Sequence, residues 1–511
     1  MSNKSLKHYE NEYDDIIIGS GVGGLTCAAY LSKQGRKVAV FEKQPVPGGY
    51  CTSYIRDGFS FAPSVHWLSF CGEDQLVGQT VRELGISDVL KFSVFDPLVR
   101  FISKKSDITL SFDIQGMKDK LKALYPDDKK GIDDFFELCA RFIKELNAML
   151  EDSLNMVTKF DKMKFGIGYI TGKYPIISKV RKVPAFEFLR RYFKNEDLIH
   201  LFYIMGPGDA EAEIFPILAR IGWAIDKNYY YVSEGNNAKM AEAFALAVTN
   251  HGGSIFYNSA IKKIIVENKK AVGVIEATGK VFKAKNIISN IDGRTTYFEL
   301  LGKDQLPMKF IDRIDEKIPY SSSFAVNLGV DMDLRSMGFK GESITYMPSD
   351  KLEDISGSDP SKCKIVIQFR SLRDPSLAPH GKHTVMITAR IPYDYKNVWT
   401  TNGFDVRSES YYKLKDEVAD QLIKSAENII PELSKHIIVK DIATPLTFER
   451  YTGNYQGAIM GWQEKTISLP KLPVKSLYQV GHWTFPGGSI NRVIACGRNA
   501  AKKILNNSTK L

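Results

Sequence analysis

The chain has 511 residues, 44% hydrophobic and 25% charged, with a net charge of +10 and a pI near 9.0. That length exceeds what one core serves and predicts two or more domains, while the composition is that of an ordinary globular protein. No run approaches the ~18 apolar residues that span a bilayer, and the scattered cysteines form no C-x-x-C pair, so neither a transmembrane chain, a zinc site nor a dithiol is expected.

The basic balance leaves an anionic ligand, an anionic membrane surface, nucleic acid or mere solubility open. The opening stretch, "MSNKSLKHYENEYDD", is polar and lacks an apolar signal core. Reduced cysteines suit a reducing compartment. The expectation is a cytoplasmic chain, soluble or peripheral on the inner face of a membrane.

Residues 14–43 carry the first strong signal. "DIIIG" is a short β-branched run that predicts a buried parallel strand. Gly19, Gly21 and Gly24 fill G-x-G-x-x-G, with Val22 and Gly23 between them. "LTCAAYLSKQG" has helical apolar spacing and stops at Gly35, and "KVAVFEK" is a second strand ending at Glu42 and Lys43. Gly19 allows the tight turn, Gly21 a close approach to a pyrophosphate, and Gly24 close packing of helix on strand. The helix N-terminus offers unpaired N–H groups to phosphate. Glu42 stands where an acid accepts from the adenosine ribose hydroxyls, which disfavours a 2′-phosphate.

After the second strand the chain turns at once through Pro47-Gly48-Gly49. With that turn, "DDIIIGSGVGGLTCAAYLSKQGRKVAVFEKQPVPGG" resembles the opening of the phytoene desaturase, carotenoid isomerase and retinol saturase family, within the amine-oxidase-like flavoproteins. The resemblance implies FAD, with Gly48 and Gly49 near its ribityl-pyrophosphate. It also implies an α/β fold: a Rossmann-like FAD-binding domain, a doubly wound sheet assembled from discontinuous segments, with an inserted α+β substrate-binding domain. The expected division is 10–75, 229–300 and 474–511 for FAD, and 76–228 with 301–473 for substrate.

Residues 229–292 read as a helix, "AKMAEAFALAVTNHGG", a strand, "SIFYNSAIKKIIVE", and two further strands. The family likeness puts Ile261 against the adenine. Glu234-Gly235-Asn236-Asn237 stands where the family usually has Gly-Gly. In the first inserted block, helical patterns give way to a basic and aromatic stretch at 160–195, including Lys164, Lys173, Lys179, Arg181, Lys182, Arg190 and Arg191. It fits either an interfacial cap on an anionic membrane or a solvated cap with aromatics in the core. No nucleic-acid-binding module is visible. In the second block, Tyr451, Tyr455 and Trp462 are either pocket lining or sheet packing.

The chain closes on "LYQVGHWTFPGGSINRVIACGR": a strand, a Pro-Gly-Gly loop and a helix. By resemblance Gly481, Gly488, Ser489, Ile490 and Asn491 meet the flavin, and the helix's positive end favours the reduced flavin's N1–C2=O locus. His66 and His482 are the candidate catalytic side chains. The resemblance implies flavin-centred chemistry on carbon–carbon bonds of a carotenoid or other isoprenoid: desaturation, saturation or cis–trans isomerisation. Electrons would pass to an acceptor such as quinone or oxygen. A small-amine oxidase and a non-catalytic FAD- or prenyl-lipid-binding protein are the alternatives.

Overall fold

The computed structural model describes residues 11–65, 67–154, 156, 159–206, 213–349, 351, 354, 359–399, 407–463, 472–484 and 487–508. Two seven-stranded sheets organise it. The strands and helices of the first are β1 (Asn11–Ile18), α1 (Val22–Lys33), β2 (Val38–Phe41), α2 (Ala238–Asn250), β3 (Ser254–Phe256), β4 (Ile261–Glu267), β5 (Lys270–Glu276), β6 (Val281–Ser289), β7 (Leu477–Gln479) and α3 (Ile490–Ser508). Their order is β4-β5-β6-β1-β2-β3, with β7 also pairing β6. β6, β1, β2 and β3 run parallel, as do β6 and β7, whereas β4, β5 and β6 form an antiparallel meander.

Both faces of this sheet are covered, which is why its strands read as continuous apolar runs. Ile17, Val38 and Val40 pack toward α1, α2 and α3. Their neighbours Ile16, Ile18, Ala39 and Phe41 pack on the opposite face with Tyr297, Phe310, Trp462 and Trp483. Asp15 is fully buried and pins the centre of the sheet: it accepts from Arg36 Nη2 at 3.0 Å and Asn286 Nδ2 at 2.8 Å.

One expected strand is two. "SIFYNSAIKKIIVE" splits into β3 beside β2 and β4 at the opposite edge. Asn258 takes φ 53, a left-handed turn that no strand continues through. The intervening residues cross the sheet's carboxyl ends, where Ser259 N donates to Glu42 O at 2.8 Å.

The second sheet orders the strands Ile437–Ala443, Phe324–Val330, His383–Ala389, Ile365–Gln368, Ser343–Met347, Val99–Ser103 and Asp107–Leu110. Both inserted blocks therefore share one sheet: Ser343 pairs with Val99 in parallel, and the strands from 99–110 come from a region whose sequence reads mainly as helix. Alternation sorts the faces. Ile344, Ile365, Ile367, Val385 and Ile387 pack under the helix Glu409–Ala426, while Thr345, Val366 and Thr388 face the first sheet across a cavity.

Candidate functional site

A cavity of about 1060 Å³ lies between the carboxyl ends of the first sheet and the inner face of the second. It exceeds the roughly 300–1,000 Å³ of an ordinary small-molecule site. It occupies the crevice where open α/β sheets bind ligands.

Its first wall is the glycine turn. Gly19, Gly21, Val22 and Gly23 line it, joined by Glu42 and Lys43 at the end of β2, Gly48 and Gly49 from the next turn, and Ile261 at the start of β4. α1 begins without a side-chain cap on Gly21 and without an acid in its first turn, so nothing in the chain competes for its first amides. Gly24 stands behind the wall: a Cβ there would lie 2.6 Å from Gly19 O and 2.9 Å from Asn290 Cβ, a helix-to-strand packing role. Glu42 holds the turn as well as facing the cavity. It accepts from Ser20 N at 2.8 Å, Ser20 Oγ at 2.7 Å and Gln44 N at 2.9 Å.

The far end of the chain closes the same cavity. Gly481, His482, Gly488, Ser489 and Ile490 line it, so the N-terminal turn of α3 opens onto the space that α1 faces. Asn491 does not line it; it is buried, and its Oδ1 accepts from Ser489 Oγ at 2.6 Å. α1 and α3 pack closely because Gly497 faces the Gly23 carbonyl with no side chain between.

One central residue was missed in the sequence. Asn290, just after β6, sits among Gly19, Gly21, Gly23, Gly24 and Gly481. A Cβ on Gly21 would lie 2.6 Å from its Nδ2, and one on Gly481 2.6 Å from its Oδ1. The glycines thus clear room for this amide as well as for a ligand. The only signal in the sequence was a polar residue ending an apolar strand.

The departure at Gly235-Asn236-Asn237 has a structural answer. Asn237 Nδ2 donates to Val65 O at 2.7 Å. Arg370 donates to Asn236 Oδ1 at 2.9 Å and to Val65 O at 2.8 Å. Together they hold Val65 at φ 60, a left-handed conformation costly for a β-branched residue, on the cavity wall.

His66 lies outside the described residues; its neighbour Trp67 lines the cavity. His482 lines it too, and burial pulls its pKa down from 6.5 to about 4. It is therefore neutral at pH 7. Its Nε2 is 3.4 Å from Asn454 Oδ1, which also accepts from Trp483 Nε1 at 2.8 Å. Burial raises Asp292 from 3.8 to about 6, against amide bonds from Tyr455 N at 3.0 Å and Thr295 N at 2.9 Å. Of the three candidate aromatics, Tyr451 and Tyr455 line the cavity. Trp462 packs instead, its ring 4.6 Å from that of Trp483 and its Nε1 bonded to Trp483 O at 3.1 Å.

The second sheet and the helix Phe215–Ile225 form the remaining wall. Val99, Arg220, Ser343, Thr345, Lys364, Val366, Thr388 and Arg390 reach it. Among the described residues no group of three His, Cys, Asp or Glu side chains is arranged for a metal, and no helix is long and apolar enough to cross a membrane.

The family model for flavin-containing amine oxidoreductases matches residues 22–505. A prolycopene isomerase of Daucus carota is 28% identical, across 96% of this chain and 80% of that protein. An all-trans-retinol 13,14-reductase of Danio rerio is 22% identical, across 97% of this chain and 88% of that protein. A crystal structure of an oxidoreductase from Methanosarcina mazei matches with TM-score 0.62 and 18% identity, over 96% of this chain and 100% of that one.

Proposed function

The chain belongs to the flavin-containing amine oxidoreductase family, and on that premise we propose that it is an FAD-dependent oxidoreductase acting on carbon–carbon bonds of an isoprenoid polyene. The observation that carries this reading is the single cavity whose walls join the uncapped α1 turn, the α3 N-terminus and the inserted sheet. The residues fit FAD. The first amides of α1 suit the pyrophosphate, Glu42 the adenosine ribose, Ile261 the adenine, and the turn from Gly488 to Ile490 the flavin's N1–C2=O edge. Gly48 and Gly49 flank the same path.

Bound flavin supplies hydride acceptance or return at a carbon–carbon bond. The chain's own residues supply the rest. The two helix N-termini place partial positive charge at the cofactor's anionic edges. His482, neutral at pH 7, adds no charge beside them. The inserted sheet walls the cavity on the opposite side. The division we propose follows: 10–75, 229–300 and 474–511 hold FAD, and 76–228 with 301–473 hold substrate. The polyene class rests on the relatives, whose names concern a prolycopene and a retinol. Quinone or oxygen is the proposed electron acceptor.

We further propose that residues 160–195 dock on an anionic membrane. On the helix Lys159–Ile170, Phe160, Met163, Ile167 and Ile170 are all exposed, Ile170 at 85%, and their spacing puts them on one face. Phe165 and Tyr169 turn inward onto Tyr174, so the segment contains both an exposed apolar face and a packed one.

The test is incubation of the flavin-loaded protein with a panel of polyenes, aerobically and anaerobically after reduction, followed by product mass and absorption. Loss of two hydrogens, gain of two, or unchanged mass with altered absorption separates the three chemistries. No change with any polyene, alongside turnover of an amine, would overturn the proposal.

A further inference from the structure

The inserted wall carries a charge that a hydrocarbon does not need. Arg220 lies on the helix "FPILARIGWAI", whose other side chains are apolar: Ile217, Leu218, Ala219, Ile221 and Ala224 are all buried. The helix packs on Lys129–Leu154, with Phe215 against Phe142, and presents Arg220 to the cavity. Its guanidinium stands 5.8 Å from the Phe101 ring centroid.

Among the described residues no carboxylate neutralises it. Among the described residues Arg220 forms no ion pair, and the other groups acting on its charge are Tyr229, Tyr320 and a second cation, Arg390. The Tyr229 hydroxyl is already committed to the Arg220 carbonyl, at 3.0 Å. Tyr320 Oη accepts from Arg390 Nη2 at 3.1 Å, which sets that guanidinium toward the same wall. The acids that line the cavity are engaged elsewhere. Glu42 holds Ser20, Asp292 holds Tyr455 N, Glu299 accepts from Thr295 Oγ1 at 3.4 Å, and Glu449 accepts from Gln456 N at 3.1 Å.

A part-buried cation with no acid partner among the described residues is costly to hold, and a cavity built only for hydrocarbon gains nothing from it. A ligand anion offsets the cost, and guanidinium forks match carboxylate and phosphate oxygens. The surrounding wall is suited to such a group. Ser343, Thr345 and Thr388 reach the same cavity with hydroxyls.

We infer that Arg220 marks an anion subsite on the inserted wall, which receives a carboxylate or phosphate end-group of the substrate. This inference rests on the reading of the cavity as a polyene site, and it narrows the substrate to an acidic one.

Equilibrium dialysis of the flavin-loaded protein against retinoic acid, retinol and palmitate tests it, with Arg220→Met and Arg220→Lys as variants. The expected result is that retinoic acid binds about thirtyfold or more tightly than retinol. Arg220→Met should abolish that preference and Arg220→Lys should recover part of it, with flavin content unchanged in both. Equal binding of acid and alcohol, or a preference that survives Arg220→Met, would overturn it. Loss of flavin in Arg220→Met with recovery in Arg220→Lys would also overturn it, by assigning the cation to the cofactor. If palmitate binds through Arg220 and neither retinoid binds, the anion subsite stands and the polyene reading fails. Binding of none of the three overturns the subsite.

Discussion

Replacing Gly497 by alanine places one methyl group where α3 crosses α1. The new Cβ would overlap the Gly23 carbonyl oxygen and stand 3.0 Å from Thr26 Cβ and 3.1 Å from Cys27 N. None of these atoms is the end of a flexible side chain, so the helices must separate. Overpacking of this kind costs about 1–3 kcal/mol. Alanine returns about 0.8–1 kcal/mol of helix propensity. Because the clash is with backbone, the steric cost falls in the upper part of that range, about 2–3 kcal/mol, and a net loss of about 1–2 kcal/mol is expected. Gly166 is the matched control. It is also helical, and a Cβ there meets nothing within 4 Å. Gly166→Ala should therefore stabilise by about 0.5–1 kcal/mol. Both helix N-termini that face the cavity move with α1 and α3, so Gly497→Ala should also weaken flavin binding about tenfold, equivalent to ~1.4 kcal/mol. Urea unfolding and flavin titration of the two variants measure both effects. If Gly497→Ala matches Gly166→Ala in stability and flavin affinity, the close crossing is not what assembles the site.

Three further expectations concern the cofactor, acid stability and membrane contact. Glu42→Gln removes a charged acceptor worth about 1.5–3 kcal/mol, so FAD should bind roughly ten- to a hundredfold more weakly. FMN, which lacks the adenosine ribose, should be unaffected, and equal losses would place Glu42's effect in the Ser20 turn. Below pH 6.5 the unfolded chain protonates His482's imidazole while the folded chain resists until about pH 4, so its contribution to stability is complete above 6.5 and lost as pH falls. That loss reaches at most roughly 3 kcal/mol. Asp292 acts in the opposite sense, holding its proton in the fold up to about pH 6 and costing stability as pH rises from 3.8. Wild-type stability should therefore change little between pH 4 and 6, whereas His482→Gln should become more stable as pH falls there; parallel urea-midpoint profiles would contradict this. Ile170→Glu, at the most exposed apolar position, should abolish salt-sensitive flotation with anionic liposomes, and unchanged flotation would remove the docking face.

The parts of the site readable in sequence were those built from consecutive residues. The turn from Gly19 to Gly24, Glu42 at the end of β2, and the loop from Gly488 into α3 each declare themselves by local grammar, and the cavity gathers them. Asn290 did not, because its role exists only once β1 and β6 lie side by side and bring Gly21 and Gly481 against it. The strands at 99–110 were hidden for the same reason: their partner is Ser343–Met347, far along the chain. The break at Asn258 was hidden by apolar alternation that continues on both sides of it. Arg220 reads in sequence as a lone cation in a greasy helix, and only the cavity gives it a direction.

The central claim is that segments hundreds of residues apart complete one FAD site. The direct measurement is the flavin content of purified protein, by absorbance and by chromatography of what heat releases, for wild type and for Gly21→Val, whose side chain would enter the space beside Asn290. The account predicts one FAD per chain in the wild type and none in the variant. A wild-type protein that is colourless and cannot be reconstituted with FAD would contradict it.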